Sequence, residues 1–489
     1  VSFPGIFINA RIGLSAAKRK PPIRTGEADV SSDATIRLYS GIRNADSLIV
    51  GTSAKGEGGM SAPTPPVVVI GAGIVGVSTA IWLGRAGKNV VLMDREAPGQ
   101  GGASYGNGGI LASCSVVPVT TPGLIRRVPM LLADQDFPLF LRWSHLPRLA
   151  PWLIRYLSHA NDRQTRRISK GLAILTGDSI GEHRALAHGT DAERWLHGGD
   201  YVFAYRDRAA FEADSYVWNL RREAGFIPEL IEGPAVRDYD PAYGPGIDLL
   251  AVMKNHGHVL SPGKYIASLA NVLRSEGGEI RRAEVRDLEF TDGAVSAVVT
   301  DRESVSCTGI VLCAGVWSGP LAAKLGLTVH MESERGYHVV FKSPSIQMRS
   351  PTMVAAGKFV ATPMDDGLRC AGIVEFGGLR AGPSKAPLAL IRKIVKRTFP
   401  GLRWQEEEEW LGHRPSTADS LPLIGQVGNS GVFTGFGHHH IGLTGGPKTG
   451  RILADMIMDK TTNLDLSPFD PMRFRRQIDY PAQHKRSMK

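Results

Sequence analysis

Residues 67–94 constrain the fold of this chain more than any other stretch. Val67-Val68-Val69-Ile70 is a short β-branched run that reads as a buried parallel strand. It runs directly into Gly71-Ala72-Gly73-Ile74-Val75-Gly76. Val77 to Arg85 then carries apolar residues at helical positions, Gly87 closes the helix, and Asn89 to Asp94 reads as a second strand. Together these make a βαβ unit of about 30 residues. Gly71 permits the tight turn, Gly73 lets the backbone approach a pyrophosphate, and Gly76 lets the helix lie close on the strand. The helix N-terminus at Ile74 and Val75 offers free N–H groups and a positive dipole end to phosphates. Asp94 lies 18 residues past Gly76, at a strand end where a carboxylate accepts hydrogen bonds from a ribose, and Arg95 follows it. A glycine triplet alone is a weak signal, and a purely structural turn is its alternative. With strand, helix and acid all in place, the unit reads as a dinucleotide site.

The whole chain of 489 residues leaves room for two or three domains. With 43% hydrophobic and 21% charged residues it has the composition of an ordinary globular protein. No apolar run reaches the ~18 residues of a transmembrane helix. The net charge of +10 raises nucleic acid or a membrane surface as partners. The basic residues are scattered, however, and the densest groups (Arg19-Lys20, Arg473 to Arg476, Lys485-Arg486) sit near the two ends. Without an aromatic-interleaved basic module, nucleic-acid binding is not expected. Cys114, Cys307, Cys313 and Cys370 show no metal-ligand spacing, which suits a reducing cytoplasmic setting. Residues 1–62 read as a disordered extension with Met60 as the true start, because five acids in the first 59 residues argue against a transit peptide.

Further along, residues 116–195 read as mostly helical, including Phe137 to Trp143 and Trp152 to Leu157. A strand follows at Tyr201 to Ala204 and a helix at Tyr265 to Glu276. Another strand lies at Gly309 to Gly315, strand-rich sequence covers 328–376, and a last strand–loop–helix runs from Val432 to Met458, its helix starting near Lys448.

Four more segments carry small and polar residues in a telling order. They are Ala103-Ser104-Tyr105-Gly106-Asn107-Gly108-Gly109, Gly309 to Ala314-Gly315-Val316-Trp317, Trp410-Leu411-Gly412-His413-Arg414-Pro415 with Asp419 and Pro422, and Gly435-Phe436-Gly437-His438-His439-His440-Ile441-Gly442-Leu443-Thr444. Over residues 66–465 this series resembles the FAD-dependent D-amino-acid oxidase and dehydrogenase superfamily. It is most similar to the bacterial D-amino acid dehydrogenase group, which includes enzymes of D-hydroxyproline type.

The resemblance implies an α/β fold: a Rossmann-type FAD-binding domain, glutathione-reductase-like, interleaved with an α+β substrate domain on an antiparallel sheet. The FAD domain takes segments 64–115, 245–325 and 405–465, the substrate or cap domain 116–244 and 326–404, and 466–489 forms a basic tail. FAD contacts are expected from the βαβ residues and from Ser104, Asn107, Gly108, Gly109, Val285, Ala314, Gly315, Trp317, Gly412, Gly437, His439, Ile441, Gly442, Leu443 and Thr444. Backbone N–H groups of the C-terminal loop are suited to the negative charge that develops on flavin as it accepts hydride. Arg414 matches the arginine that anchors the substrate carboxylate, as a two-pronged guanidinium can. Its alternative is a simple ion pair with an acid such as Asp419. Arg335-Gly336-Tyr337-His338 matches a substrate-domain strand facing the flavin, where Tyr337 is a candidate second donor to the carboxylate or else a core or surface aromatic, and His440 matches a substrate contact of the glycine oxidase branch. His438 reads as structural, and metal is not expected because consecutive histidines diverge.

Gly106 stands where dimethylglycine and sarcosine dehydrogenases carry the histidine bonded to flavin, so the FAD is expected to be non-covalent. The implied reaction takes hydride from the α-carbon of a small D-amino acid or cyclic imino acid, of D-proline or D-hydroxyproline type, to flavin N5. A quinone or other respiratory acceptor then receives the electrons. The alternatives are a sarcosine- or glycine-type oxidase using O2, or a flavin-binding subunit of a larger amine dehydrogenase. Leu139 to Leu157, with Trp143, Trp152, Tyr156 and several arginines, is a candidate for peripheral contact with the inner membrane, or else a helix pair packed on the body.

Overall fold

The computed structural model describes residues 64–126 and 138–474; the N-terminal extension, Phe137 and most of the basic tail lie outside the described residues. The first strand, Val67–Ile70, is buried along its whole length, as its β-branched run requires. It lies at the centre of a six-stranded sheet ordered Leu423–Gln426, Val432–Phe436, Gly309–Leu312, Val67–Ile70, Val90–Asp94, Glu279–Arg282. All pairs are parallel except the outermost, Leu423–Gln426 with Val432–Phe436. The helices Ile74–Arg85, Pro262–Ser275 and Gly442–Ile457 pack with this sheet into one core.

The last of these helices begins at Gly442, six residues before the position read from the sequence. Its glycines serve packing rather than breaking. A Cβ on Gly450 would lie 2.6 Å from the Thr79 amide nitrogen, and one on Gly446 would lie 2.9 Å from the Ile74 side chain. The helix therefore rests almost directly on Ile74–Arg85.

A ten-stranded sheet forms the second layer. Its main path runs Glu406–Thr417, Met331–Lys342, Gly367–Phe376, Phe359–Met364, Thr352–Val354, Leu196–Tyr205, Leu249–Val259, Ile110–Leu111. It is mostly antiparallel, with parallel pairs between Thr352–Val354 and Leu196–Tyr205 and between Leu139–Leu141 and Gly367–Phe376. Leu139–Leu141 is thus a strand where the sequence suggested helix, because Val374–Phe376 offers its backbone a partner. Leu249–Val259 and Glu406–Thr417 fall in segments that the sequence grouped with the FAD-binding part, and both pair within this larger sheet. One face is sealed by the helix Lys385–Thr398, whose Leu388, Ile391 and Val395 join Tyr337, Val339 and Phe341 in a core. The opposite face opens onto a cavity.

The helix Leu146–Ser158 turns Trp152 and Tyr156 inward, stacked at 4.6 Å, and the Trp152 indole N–H donates to the Ser416 carbonyl at 3.0 Å. Trp143 and Ile154 remain exposed. Among the described residues no helix is long and apolar enough to cross a membrane.

Candidate active site

Both sheets contribute to a cavity of about 900 Å³, at the upper end of ordinary small-molecule sites. At its nucleotide end, Gly71 has φ +107°, and a Cβ there would lie 2.5 Å from the Cys313 carbonyl oxygen. Only glycine fits that turn. The Asp94 carboxylate accepts from the Ala72 N–H at 2.7 Å and from the Glu96 N–H at 3.0 Å, so it pins the turn and still has lone pairs for a ligand. Ser104 Oγ accepts from the Ile74 N–H at 3.2 Å, placing a hydroxyl at the helix N-terminus. The Arg95 guanidinium lies 4.3 Å from the Trp317 ring centroid, and Val285, Ala314 and Gly315 complete this end.

The second loop is braced from the larger sheet. Asn107 Oδ1 accepts from the Gly109 N–H at 2.9 Å, Thr362 Oγ1 donates to the Gly108 carbonyl at 2.7 Å, and Arg369 donates to the Asn107 carbonyl at 2.9 Å. A Cβ on Gly106 would fall 2.2 Å from the Trp410 indole. That indole is stacked on His338 at 5.1 Å, and the His338 ring nitrogen bonds the Gly106 carbonyl at 3.0 Å. Gly412 lines the cavity from the neighbouring position on the same strand face as Trp410.

Three histidines in a row go to three different places. His438 Nε2 reaches Thr449 Oγ1 at 3.1 Å, the structural role expected of it. His439, at φ +54°, lines the cavity, and its ring reaches Ser416 Oγ at 3.2 Å and the Thr417 carbonyl at 3.3 Å. His440 is accessible through the cavity but enclosed by protein, and loss of water pushes its pKa down to about 4. Beyond Gly437 and Ile441, the first bond closing the final helix runs from Gly445 N to the Ile441 carbonyl. The N–H groups of Gly442, Leu443 and Thr444 therefore lie at an open helix end lining the cavity.

Arg414 also lines the cavity, lying across Gly336, where a Cβ would come within 2.6 Å of its guanidinium carbon. Its partner is Glu334 rather than Asp419: Nη1 donates to Glu334 Oε1 at 2.8 Å, while Asp419 is bound by Arg473 at 2.7 Å. The other Glu334 oxygen accepts from Ser416 Oγ at 3.0 Å. Burial works to raise the Glu334 pKa, but Arg414 and the neighbouring histidines outweigh it and hold the carboxylate below its ordinary range.

Tyr337 borders the cavity, but its hydroxyl does not join this group. The strand Met331–Lys342 pairs without a break against Glu406–Thr417, with Glu334 opposite Arg414 and Gly336 opposite Gly412. Tyr337, at odd spacing from both, presents its side chain to the other face of the sheet. There its hydroxyl donates to Glu375 at 2.6 Å and accepts from the Ser384 N–H at 3.0 Å.

Sequence reasoning missed Glu334, His338, Arg369 and Trp410 as supports of the site. Trp410 and His338 lay within quoted segments without a role of their own, and strand alternation from Gly412 could have found Trp410.

A family model described as DAO, FAD dependent oxidoreductase, matches residues 66–456. The D-amino-acid oxidase of Bradyrhizobium diazoefficiens is 36% identical over 415 residues, covering 83% of this chain and 98% of that protein. The D-amino acid dehydrogenase of Paramagnetospirillum magneticum is 29% identical over 433 residues, with the same coverage. Among solved structures, glycine oxidase from Geobacillus kaustophilus superposes with a TM-score of 0.63 at 19% identity, covering 84% of this chain and 100% of that one. The L-proline dehydrogenase from P. horikoshii gives 0.64 at 17%, covering 84% and 98%. At such identities these structures speak to the fold.

Proposed function

The chain belongs to the DAO family of FAD dependent oxidoreductases, and from that premise we propose that it oxidises the α-carbon–nitrogen bond of free D-amino acids. The observation that carries this reading is Arg414, a guanidinium inside the cavity whose opposite end is the glycine cradle. The cradle fits FAD. Gly71, Gly73, Ser104 and the Ile74 helix end suit a pyrophosphate, Asp94 a ribose, and Gly108, Gly412 and the Gly442–Thr444 helix end the flavin ring. Bound FAD supplies the acceptor for the hydride of the α-carbon.

The protein's own groups bind and orient. Arg414 keeps Nη1 on Glu334 and offers its remaining N–H donors to the substrate carboxylate. Holding that carboxylate fixes the α-hydrogen in one direction, so much of the rate comes from positioning. With its pKa near 4, His440 is neutral at physiological pH and supplies a hydrogen bond without charge. No side-chain base is needed when the substrate amine binds neutral, and the imine product hydrolyses in water to a keto acid and ammonia, or remains a cyclic imine.

Trp410 fills the space beside Gly106, which supports a non-covalent flavin. A quinone or other respiratory acceptor is the proposed electron sink. Peroxide release under air with glycine or sarcosine, and none with D-amino acids, would instead favour an oxidase of those amines.

The test is anaerobic bleaching of the flavin against D-, L-, N-methyl and cyclic amino acids, D-proline and D-hydroxyproline included. D-amino acids are expected to bleach it. Arg414→Leu should raise the half-bleaching concentration by roughly 100-fold or more while FAD stays bound. Normal bleaching by that variant at the same concentration defeats the substrate pose.

A further inference from the structure

The wall of the cavity remote from Arg414 along the strand order is formed by Tyr201 and Phe203 of Leu196–Tyr205, by Met353, and by the helix Ser215–Glu223 laid over them. Its core is aromatic and aliphatic, and one guanidinium is set into it, that of Arg221. This group lies 4.4 Å from the Phe203 ring centroid and 4.6 Å from that of Trp218. Its Nε is buried with no hydrogen-bond acceptor. Its polar neighbour is Cys114, whose thiol burial pushes up to about 11, so that it is uncharged. Among the described residues no carboxylate pairs with Arg221. Lys358, at the turn into Phe359–Met364, lines the same cavity.

The contrast with Arg414 is informative. Arg414 already has Glu334 as its counter-ion. The Arg221 guanidinium is half-buried and without one, an arrangement that costs free energy in the empty site. A ligand that brings a negative group to this wall removes that cost and gains the cation's attraction in a dry setting.

We propose that Arg221 is a second anion subsite, and that the substrate is an acidic D-amino acid whose α-carboxylate meets Arg414 while its side-chain carboxylate meets Arg221. This rests on the reading of the site given above and narrows it from neutral or cyclic substrates to dicarboxylic ones. The Phe203 and Trp218 rings, themselves in edge contact at 5.1 Å, both lie against Arg221 and make its surroundings apolar, which sharpens discrimination between an acid and its isosteric amide.

The experiment uses the purified holoenzyme and a dye acceptor. It compares D-aspartate, D-glutamate and D-2-aminoadipate with D-asparagine, D-glutamine and D-norleucine. At least one acid is expected to exceed its neutral counterpart by tenfold or more in kcat/KM, chiefly through KM. In Arg221→Met that ratio should fall to about one, and Arg221→Lys should restore part of it. A purely structural Arg221 would lower kcat/KM for acids and amides alike and leave the ratio unchanged, which overturns the proposal. So does a wild-type enzyme that prefers the amides.

Binding without turnover gives an independent readout. Calorimetric titration of the wild-type holoenzyme with succinate or glutarate should give a Kd at least tenfold lower than with butyrate, and equal affinities overturn the subsite. If neutral D-amino acids bleach the flavin and acids show no advantage, only the subsite fails. If no D-amino acid bleaches it, the reading of the reaction fails, and the titration still decides the subsite.

Discussion

Glu334 and Tyr337 stand three positions apart on one strand and face opposite ways, and that single difference assigns them different work. Tyr337 supports a buried acid on the sealed face of the sheet. Tyr337→Phe is therefore expected to leave the half-saturating substrate concentration within about twofold and to cost about 1–3 kcal/mol of stability, seen as a lower Tm, because Glu375 loses a donor. A large rise in KM with unchanged Tm would return Tyr337 to the substrate. Glu334 lies in the cavity and competes for the guanidinium that a substrate carboxylate must use. Glu334→Gln keeps one acceptor, for Arg414, turns the position facing Ser416 into a donor that the hydroxyl can accept, and removes the charge. Simple carboxylates, titrated against the flavin spectrum, should then bind several-fold more tightly. Weaker binding would mean that the charge of Glu334 is needed to hold Arg414 in place.

At the scale of elements, the close contacts of glycines predict what each loop tolerates. Gly106→His should fail to attach flavin covalently and should lower the FAD content of the purified protein, because the indole of Trp410 occupies the space. Absorbance retained by the protein after acid precipitation checks the first expectation, and the ratio of flavin to protein checks the second. Gly450→Val should separate two packed helices and lower both Tm and FAD content, since Thr79 and Ser78 backbone atoms lie within 2.7 Å of the added carbon. The same contacts explain how much the sequence disclosed. The cofactor loops were readable because their backbone paths exclude every side chain at Gly71 and Gly76, so the residue type itself records the geometry. The register that turns Tyr337 away from Arg414 was not readable, because it depends on pairing across 70 or more residues. Glu334 and Arg369 escaped for the same reason: each reaches its partner through a long side chain, which leaves no periodic trace. Leu139–Leu141 is too short to show a period of its own, and the glycines of the last helix looked like a loop until a second helix was found lying on them.

Across the whole molecule, buried histidines are kept neutral. Burial lowers His183 and His258 to about 4 and His338 and His438 to about 3, against 6.5 for an ordinary histidine. The unfolded chain binds protons on these rings below about pH 6.5 while the native protein does not, so stability is full above that pH and falls as pH drops toward 4. Thermal unfolding should give a level Tm from pH 8 to 7 and a steepening decline below 6.5. A Tm that stays level down to pH 5 would show that these rings are not buried as neutral groups. The order of strands in the six-stranded sheet has a last consequence, felt on the ribosome. Val67–Ile70 is flanked on one side by Val90–Asp94 and on the other by Gly309–Leu312, so this first strand must wait about 240 residues for its second neighbour. At ordinary synthesis speeds that is roughly 10–50 seconds during which a β-branched edge stands open to other nascent chains. Chaperone demand during expression should accordingly peak before residue 309 emerges, and slowing translation upstream of that point should increase aggregation more than slowing it downstream.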